Sequence, residues 1–411
     1  MDDIYTGIDL GTDSIKIVVL SRNNDKYHVL ASCSYPSLGI ENGLVVDMKS
    51  ATNSIKNALV EVNEKLGIKI TKVVACVPPV DCNMDIVDGC VDVKDSENID
   101  GGDVSNVLRD ALKNVDFSEN ELVTAMPINF NIDDDVSVHD PKGMHGTNLS
   151  ARVVISTTSK ETLYKILEVL KNAGVETIDI SYTSYGDYYC LEDEKYDELV
   201  GAIINIGEES TNVSVFNRGI QIKNGLVPVG SRHVDADISY ALKCSMEEAR
   251  DVKEHFSVAL ASYADSKDMI KITSTDDGNE EIREVNQGTV SKVVEARVKE
   301  ILNISKNEIK NLTNREIRYI IITGGLSELA GFQYLVEEEF GVVARVCNIS
   351  AMGIRHNKYS SCYGVIKYFN DKLDLRGKKY NMFTKEELEN LDSSSVNENV
   401  VNKVFGHFLD D

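Results

Sequence analysis

Residues 7–16 read GIDLGTDSIK, an apolar strand that runs through an aspartate into a glycine-threonine turn and a second strand. Because Gly11 has no Cβ atom, a ligand can approach the backbone of this turn closely. The Thr12 hydroxyl and the N–H groups of the turn are suitable donors for phosphate oxygens. Asp9, just before the turn, supplies the oxygen ligand that Mg²⁺ prefers. Taken alone, so short a motif is more often a plain turn.

Two further stretches make the pattern specific. Residues 202–216, AIINIGEESTNVSVF, repeat the sequence of strand, polar residue, glycine, loop, threonine and strand. Residues 319–331, YIIITGGLSELAG, form a buried strand that runs into two glycines and a helix. Two phosphate hairpins followed by strand-Gly-Gly-helix resemble the actin, heat-shock-chaperone and sugar-kinase superfamily. The resemblance implies an α/β, actin-like ATPase fold of two halves, duplicated ribonuclease-H-like domains that clamp a nucleotide.

The superfamily resemblance also implies the ligands and their binding residues. ATP and Mg²⁺ are the expected cofactors, with the hairpins holding phosphates and the Gly-Gly turn lying against the adenosine. Asp9 is the expected metal ligand. The expected nucleotide-binding residues are Gly7, Asp9, Gly11, Thr12, Lys16, Asn205, Gly207, Thr211, Arg250, Lys253, Gly324, Gly325 and Leu326.

Composition limits the class of protein. The 411 residues carry a formal net charge of −24 at pH 7, and hydrophobic residues make up 42% of the chain. So acidic a surface repels nucleic acid, and this apolar content excludes global disorder. None of the eight cysteines forms a Cys-x-x-Cys pair, which predicts reduced thiols in a cytoplasmic protein. No apolar run reaches the ~18–20 residues that a membrane-spanning helix needs.

Periodicity and turn signals predict the order of elements. Ser50 is the expected cap of a first helix that Gly67 ends, and Asp103 is the expected cap of a second. Separate strands are expected at 121–127 and 129–132, and a helix at 181–191. The expected domains are 1–80 with 157–198 as subdomain IA, 81–156 as an inserted subdomain IC, 199–234 with 315–371 as subdomain IIA, 235–314 as subdomain IIB, 372–397 as a linker and 398–411 as an amphipathic helix.

The position of the insertion indicates one family within the superfamily. A differently built subdomain placed in the first half is a feature of FtsA, the family of actin-like bacterial cell-division proteins. Residues 140–146 (DPKGMHG), 227–242 (VPVGSRHVDADISYAL) and 358–368 (KYSSCYGVIKY) resemble segments of that family. The match covers nearly the whole chain in order. PilM, a pilus-assembly protein, shares much of this architecture.

The second hairpin departs from the family pattern. Asn205 stands where Asp is usual, Glu208 and Glu209 follow Gly207 where a small residue is usual, and Arg250 replaces a Glu that usually contacts the nucleotide. Losing the carboxylate removes a ligand for metal or water, and two added carboxylates repel phosphates unless they point away or hold the metal. No catalytic Glu is found near residue 181. The chain is therefore expected to bind ATP with weak or absent turnover, and its catalytic residues stay unassigned.

The last 14 residues, ENVVNKVFGHFLDD, place an apolar stripe behind a polar linker. FtsA proteins end in a similar amphipathic helix that lies on the inner face of the membrane. The expected membrane-binding residues are Val400, Val401, Val404, Phe405, Phe408 and Leu409. Lys403 is the one basic residue in this segment, so the apolar stripe must supply most of the affinity. Docking of the same helix on the body of the protein is the alternative.

The resemblance to FtsA implies a cell-division scaffold that binds ATP, polymerises and tethers FtsZ, a tubulin-like division protein, to the membrane. The implied partners are the FtsZ C-terminal peptide, further copies of the chain, other division proteins and the membrane surface, but no nucleic acid. The implied location is the cytoplasmic side of the membrane at the division septum, as a peripheral protein. A PilM-like pilus-assembly protein and, less favoured, a soluble sugar or acetate kinase are the alternatives.

Overall fold

The computed structural model describes residues 3–23, 26–191, 193–276, 279–384 and 387. Within these ranges, no helix combines the length and the apolar character needed to cross a membrane. Two five-stranded sheets and one four-stranded sheet carry the architecture. Each of the five-stranded sheets contains one of the two hairpins identified from the sequence.

The first sheet begins at the amino terminus of the chain. The first 77 residues form β1 (Asp3–Leu10), β2 (Ser14–Asn23), β3 (Lys26–Pro36), β4 (Ile40–Glu41), β5 (Leu44–Val45), α1 (Met48–Leu66) and β6 (Lys72–Val77). Both faces of β1 and β2 are buried, which accounts for their near-continuous apolar sequence. Gly67 ends α1 at φ 81°, as expected. The expected cap Ser50 is wrong: the Asp47 carboxylate accepts from the backbone of Lys49 and Ser50, and a carboxylate caps strongly.

The inserted segment has its own sheet and core. It contains β7 (Asn83–Asp92), α2 (Gly101–Ala111), β8 (Asn120–Ile132), β9 (Val136–Val138) and β10 (Asn148–Ser159), with sheet order β7-β10-β8-β9. Asp100, not Asp103, caps α2, because Asp103 occupies the third helical position and completes a capping box. The two strands expected between residues 121 and 132 are one strand, in which a bulge at Ile128 accommodates Pro127.

The chain then returns to the first sheet through α3 (Lys160–Ala173), β11 (Glu176–Tyr182) and α4 (Thr183–Tyr189). Ser159 caps α3 and Gly174 ends it, as the sequence predicts. The helix expected from residue 181 begins at Thr183, since the preceding residues form β11, an edge strand parallel to β6. The completed sheet has the order β11-β6-β1-β2-β3.

The second half repeats this topology. Its elements are β12 (Val200–Ile206), β13 (Thr211–Asn217), β14 (Ile220–Val227), α5 (Ser231–Leu242), α6 (Met246–His255), β15 (Met269–Asp276), β16 (Asn279–Asn286), α7 (Gln287–Leu312), β17 (Tyr319–Thr323), α8 (Phe332–Phe340), β18 (Ala344–Val346) and α9 (Ser360–Leu375). The sheet order is β14-β13-β12-β17-β18, with three antiparallel strands followed by two parallel ones. The first sheet has the same arrangement, so the two halves are structural repeats.

Helix α9 joins the halves and the inserted segment. It crosses α4 so closely that a Cβ on Gly186 or on Gly364 would overlap the backbone of the other helix. Tyr368 of α9 stacks on Tyr185 of α4 with ring centroids 4.9 Å apart. The Tyr368 hydroxyl also lies 2.5 Å from the Thr124 hydroxyl of β8. One helix therefore contacts all three sheet-bearing parts of the chain.

Candidate functional site

A cleft of about 520 Å³ lies where the tips of the two hairpins face each other. It is lined by the β1–β2 turn, the β12–β13 turn, α6 and the segment after β17. Eleven of the thirteen residues predicted to bind nucleotide line this cleft. They are Asp9, Gly11, Thr12, Lys16, Asn205, Gly207, Arg250, Lys253, Gly324, Gly325 and Leu326.

The first hairpin presents a turn held by its own polar groups. The Gly11 N–H donates to the Ser14 carbonyl at 3.2 Å, and the Thr12 hydroxyl accepts from the Gly43 N–H at 3.0 Å. The Lys16 ammonium lies 3.1 Å from Asp9 Oδ2. Burial lowers the pKa of Lys16, but the Asp9 carboxylate outweighs this effect and raises the pKa above its usual range. The turn therefore presents a permanent positive charge next to Asp9.

The second hairpin uses its amide to bind a buried carboxyl group beside the cleft. The Asn205 Nδ2 atom donates to Asp187 Oδ2 at 2.7 Å, and the Ser360 and Ser361 hydroxyls donate to Asp187 Oδ1 at 2.6 and 2.7 Å. Burial raises the pKa of Asp187 to about 6, although these three donors lower it in part. The Asn205 side chain thus serves a buried carboxyl group on α4 rather than a metal ion.

The two added glutamates are both paired with arginines. Glu208 Oε1 lies 2.7 Å from Arg250 Nη2, and Glu209 Oε1 lies 3.1 Å from Arg232 Nη1. Glu209 Oε2 also accepts the Asn42 N–H from the first half at 2.7 Å. The repulsion of phosphates expected from Glu208 and Glu209 is therefore reduced by neighbouring positive charge.

Helix α6 contributes a buried ion pair to the wall of the cleft. Lys253 Nζ lies 2.7 Å from Asp235 Oδ1, and both side chains are almost completely buried. Burial raises the pKa of Asp235, and the Lys253 ammonium opposes this shift. Lys253 is therefore a buried partner of Asp235 and not a solvent-exposed helix lysine.

The turn after β17 opens the remaining wall. Gly324 has φ 95°, a conformation that favours glycine, and a Cβ there would overlap the Ile206 carbonyl. At Gly325, by contrast, an added Cβ would meet none of the described residues within 4 Å, apart from its neighbours in the chain. Gly325 therefore presents an unobstructed surface to a ligand in the cleft.

Two of the predicted binding residues lie outside the cleft. Gly7 packs under α9, where an added Cβ would lie 2.5 Å from the Cys362 carbonyl, so its small size serves helix packing. Thr211 is fully buried, and its hydroxyl donates to the Val229 carbonyl at 2.7 Å. Both residues belong to the hairpins, but neither lines the cleft.

Several cleft residues were not identified from the sequence. Asp13, Asn42, Pro78, Pro79, Ser231, Glu328, His356 and Lys358 also line it. The proline pair directly follows β6, which pairs in parallel with β1. Its position at the end of that strand could have predicted that it lies beside the first hairpin. Glu328 accepts the Asn357 N–H at 2.5 Å, a contact between loops that no local pattern indicates.

The six residues predicted to bind membrane, from Val400 to Leu409, lie outside the described residues. Residues 385–386 and 388–397 of the predicted linker also lie outside the described residues.

Comparison with solved structures identifies the fold. One structure described as the PilM-PilN type IV pilus biogenesis complex has a TM-score of 0.60 at 15% identity, covering 89% of this chain and 98% of that chain. A structure of MreB5 of Spiroplasma citri bound to ADP has a TM-score of 0.55 at 13% identity, covering 91% and 98%. The actin-like two-half α/β fold predicted from the sequence is confirmed.

Sequence comparison identifies the family. The chain is 27% identical over 390 residues to cell division protein FtsA of Bacillus subtilis (strain 168), covering 94% of this chain and 88% of the relative. It is 28% identical over 362 residues to that of Streptococcus pneumoniae, covering 87% and 78%. The family model for cell division protein FtsA matches residues 202–364, and that for the SHS2 domain inserted in FtsA matches residues 82–157. The chain therefore belongs to the FtsA family of cell division proteins.

Proposed function

We propose that this protein is an ATP-binding division scaffold that holds nucleotide between its two halves. The observation that carries this proposal is the cleft itself, in which both hairpin turns and the Gly324-Gly325 turn converge. Gly11 and Gly207 place small residues at the two turns that face the cleft, where the backbone N–H groups of a turn suit phosphate oxygens. Gly325 and Leu326 leave an open, partly apolar wall for the adenosine. Arg250 and Lys253 add positive charge beside the site.

Asp9 is the residue best suited to hold Mg²⁺ in this site. Its carboxylate lines the cleft next to Gly11 and Thr12, where the phosphates of a nucleotide would lie. Mg²⁺ is commonly held by one or two carboxylates together with phosphate oxygens and water, and the oxygen donors here meet that requirement. The bound ion would neutralise phosphate charge. Lys16 would share that role while also holding Asp9 in place.

Turnover is proposed to be slow. Hydrolysis requires an oriented water molecule, and Asn205 supplies no carboxylate for one. Its amide is already engaged by Asp187 at 2.7 Å. The site is therefore better suited to holding a nucleotide than to consuming it.

Membership of the FtsA family supports the remaining parts of the proposal. The protein polymerises through its actin-like halves, binds the FtsZ C-terminal peptide and other division proteins, and lies at the septum on the cytoplasmic side of the membrane. Attachment to lipid is assigned to residues 398–411. The subdomain boundaries given above are retained as part of this proposal, with residues 81–156 as the inserted subdomain.

Three binding measurements test this function. Full-length protein should bind Mg²⁺-ATP in a calorimetric titration, bind an FtsZ C-terminal peptide in a pull-down and float with lipid vesicles. A soluble sugar or acetate kinase would bind ATP but fail both other tests. A PilM-like protein would fail the FtsZ pull-down. Absence of ATP binding would refute the assignment of the cleft.

A further inference from the structure

One arginine lies at the point where carboxylates from both halves converge on the cleft. Arg250 Nη2 is 2.8 Å from Asp13 Oδ1 in the first hairpin and 2.7 Å from Glu208 Oε1 in the second. Its Nε atom is 3.8 Å from Asp235 and 3.7 Å from Glu254. A single guanidinium therefore offsets negative charge from four separate carboxylates at this point.

Two other positive charges in the cleft are held by their own carboxylates. Lys16 is paired with Asp9, and Lys253 with Asp235. Arg250 differs because its Nε is buried and has no hydrogen-bond partner within the part of the chain that the structure describes. The carboxylates of Asp13 and Glu208 balance the charge of Arg250, but its Nε–H group is not used as a hydrogen-bond donor to any described residue.

Glu208 and Arg250 are also two positions at which this chain departs from the family pattern. Here the added carboxylate and the added guanidinium are in direct contact at 2.7 Å. We propose that the two departures form one compensated charge pair, in which Arg250 neutralises Glu208 and so allows the phosphates of a nucleotide to enter the cleft. This inference rests on the nucleotide binding proposed above.

Arg250 matters because a phosphate chain that enters the cleft would otherwise meet uncompensated negative charge. Without Arg250, Glu208 and Asp13 would both face the phosphates uncompensated in a partly buried site, where repulsion between like charges is stronger than in water. Removing Glu208 as well takes away most of that repulsion. The defect of an Arg250 variant should therefore depend on the residue at position 208.

The test is a cycle of Glu208→Gln, Arg250→Gln and the double variant, with the dissociation constant of a fluorescent ADP measured in Mg²⁺. Arg250→Gln should weaken binding at least tenfold, and Glu208→Gln alone should change it less than threefold. The double variant should return to within about threefold of the wild type. Arg250→Gln combined with Glu254→Gln is the matched control and should not restore binding, because Glu254 is half exposed and lies at the edge of the site.

Melting temperatures of the same ligand-free proteins provide a readout that needs no nucleotide. Non-additive changes in the Glu208–Arg250 cycle are expected, and strictly additive changes would overturn the pairing. Arg250→Lys, which keeps the charge, should retain more affinity than Arg250→Gln. Wild-type protein that binds no nucleotide would refute the proposed function itself. Wild-type binding with a double variant as weak as Arg250→Gln would refute only the role given to Glu208.

Discussion

The Asn205 side chain, from the second half, donates a 2.7 Å hydrogen bond to the buried Asp187 carboxylate on α4. Burial raises the pKa of Asp187 from 3.8 to about 6. Between these values the folded protein binds more protons at this site than the unfolded chain does. The contribution of Asp187 to stability is therefore largest at low pH and falls as the pH rises through about 6.

Asp187→Asn should remove this dependence on pH. Relative to the variant, wild-type protein should lose about 2 kcal/mol of unfolding free energy between pH 4 and pH 7. Denaturant unfolding of both proteins across this range measures the difference. Asp116→Asn, at an exposed position, is the control and should track the wild type. A constant difference between wild type and Asp187→Asn would show that Asp187 does not titrate in this window.

Gly325→Val should abolish nucleotide binding without unfolding the protein. Among the described residues, none except the chain neighbours lies within 4 Å of the added Cβ, so the side chain projects into the cleft. Gly11→Val should also lose binding, but with some loss of stability, because its Cβ would lie 2.8 Å from the Ser14 carbonyl. Gly288→Val, whose Cβ would meet only Asn286 Oδ1 at 3.5 Å, is the control. Unchanged ATP affinity in both cleft variants would contradict the site.

Wild-type hydrolysis should stay below about one turnover per minute, because Asn205 does not position water. Asn205→Asp alone would place a second carboxylate against Asp187, so one of the two must take up a proton. Exchanging the residues, with Asn205→Asp and Asp187→Asn together, keeps one amide–carboxylate hydrogen bond and places the charge at position 205. We expect the exchange to raise turnover above either single variant in a phosphate-release assay. Brisk wild-type turnover would contradict this account.

Phe405→Glu should release the protein from vesicles while leaving ATP binding intact. A charge on the apolar face costs about 2–3 kcal/mol at the centre of a bilayer and less at its interface. Replacing Asp410 and Asp411 with Lys should improve binding to anionic vesicles. If the segment docks on the protein itself, Phe405→Glu will lower the melting temperature, and wild-type flotation will be absent. Measuring both quantities on one variant separates the two surfaces.

Local chemistry explains which features the sequence could predict. Gly67 and Gly174 end helices because they adopt positive φ, and the two hairpins follow from apolar runs bounded by a glycine turn. The sequence does not decide the N-terminal cap of α1, because Asp47 and Ser50 both suit the position. In the folded protein the Ser50 hydroxyl donates to Asp47 at 2.6 Å. A choice between two good caps depends on where the preceding chain packs.

Features that depend on distant partners could not be predicted. Strand β11 contains Asp179, a residue type that does not favour strands. In the folded protein its charge is paired with Lys372 of α9. Asp187 looks like any helical aspartate in the sequence. Its importance arises from Asn205 and from Ser360 and Ser361, which are far along the chain. The departures at Glu208 and Arg250 were visible, but their contact was not.

Helix α9 gives the molecule a mechanical connection between its cleft and its inserted subdomain. Its first residues hold Asp187 below the cleft, and Tyr368, two turns later, meets Thr124 of β8. With 16 residues it is a rod about 24 Å long. Because its crossing with α4 leaves no room for a Cβ, the two helices are packed backbone against backbone and are expected to move together. A change in cleft opening would therefore reach the inserted subdomain as a tilt of this rod.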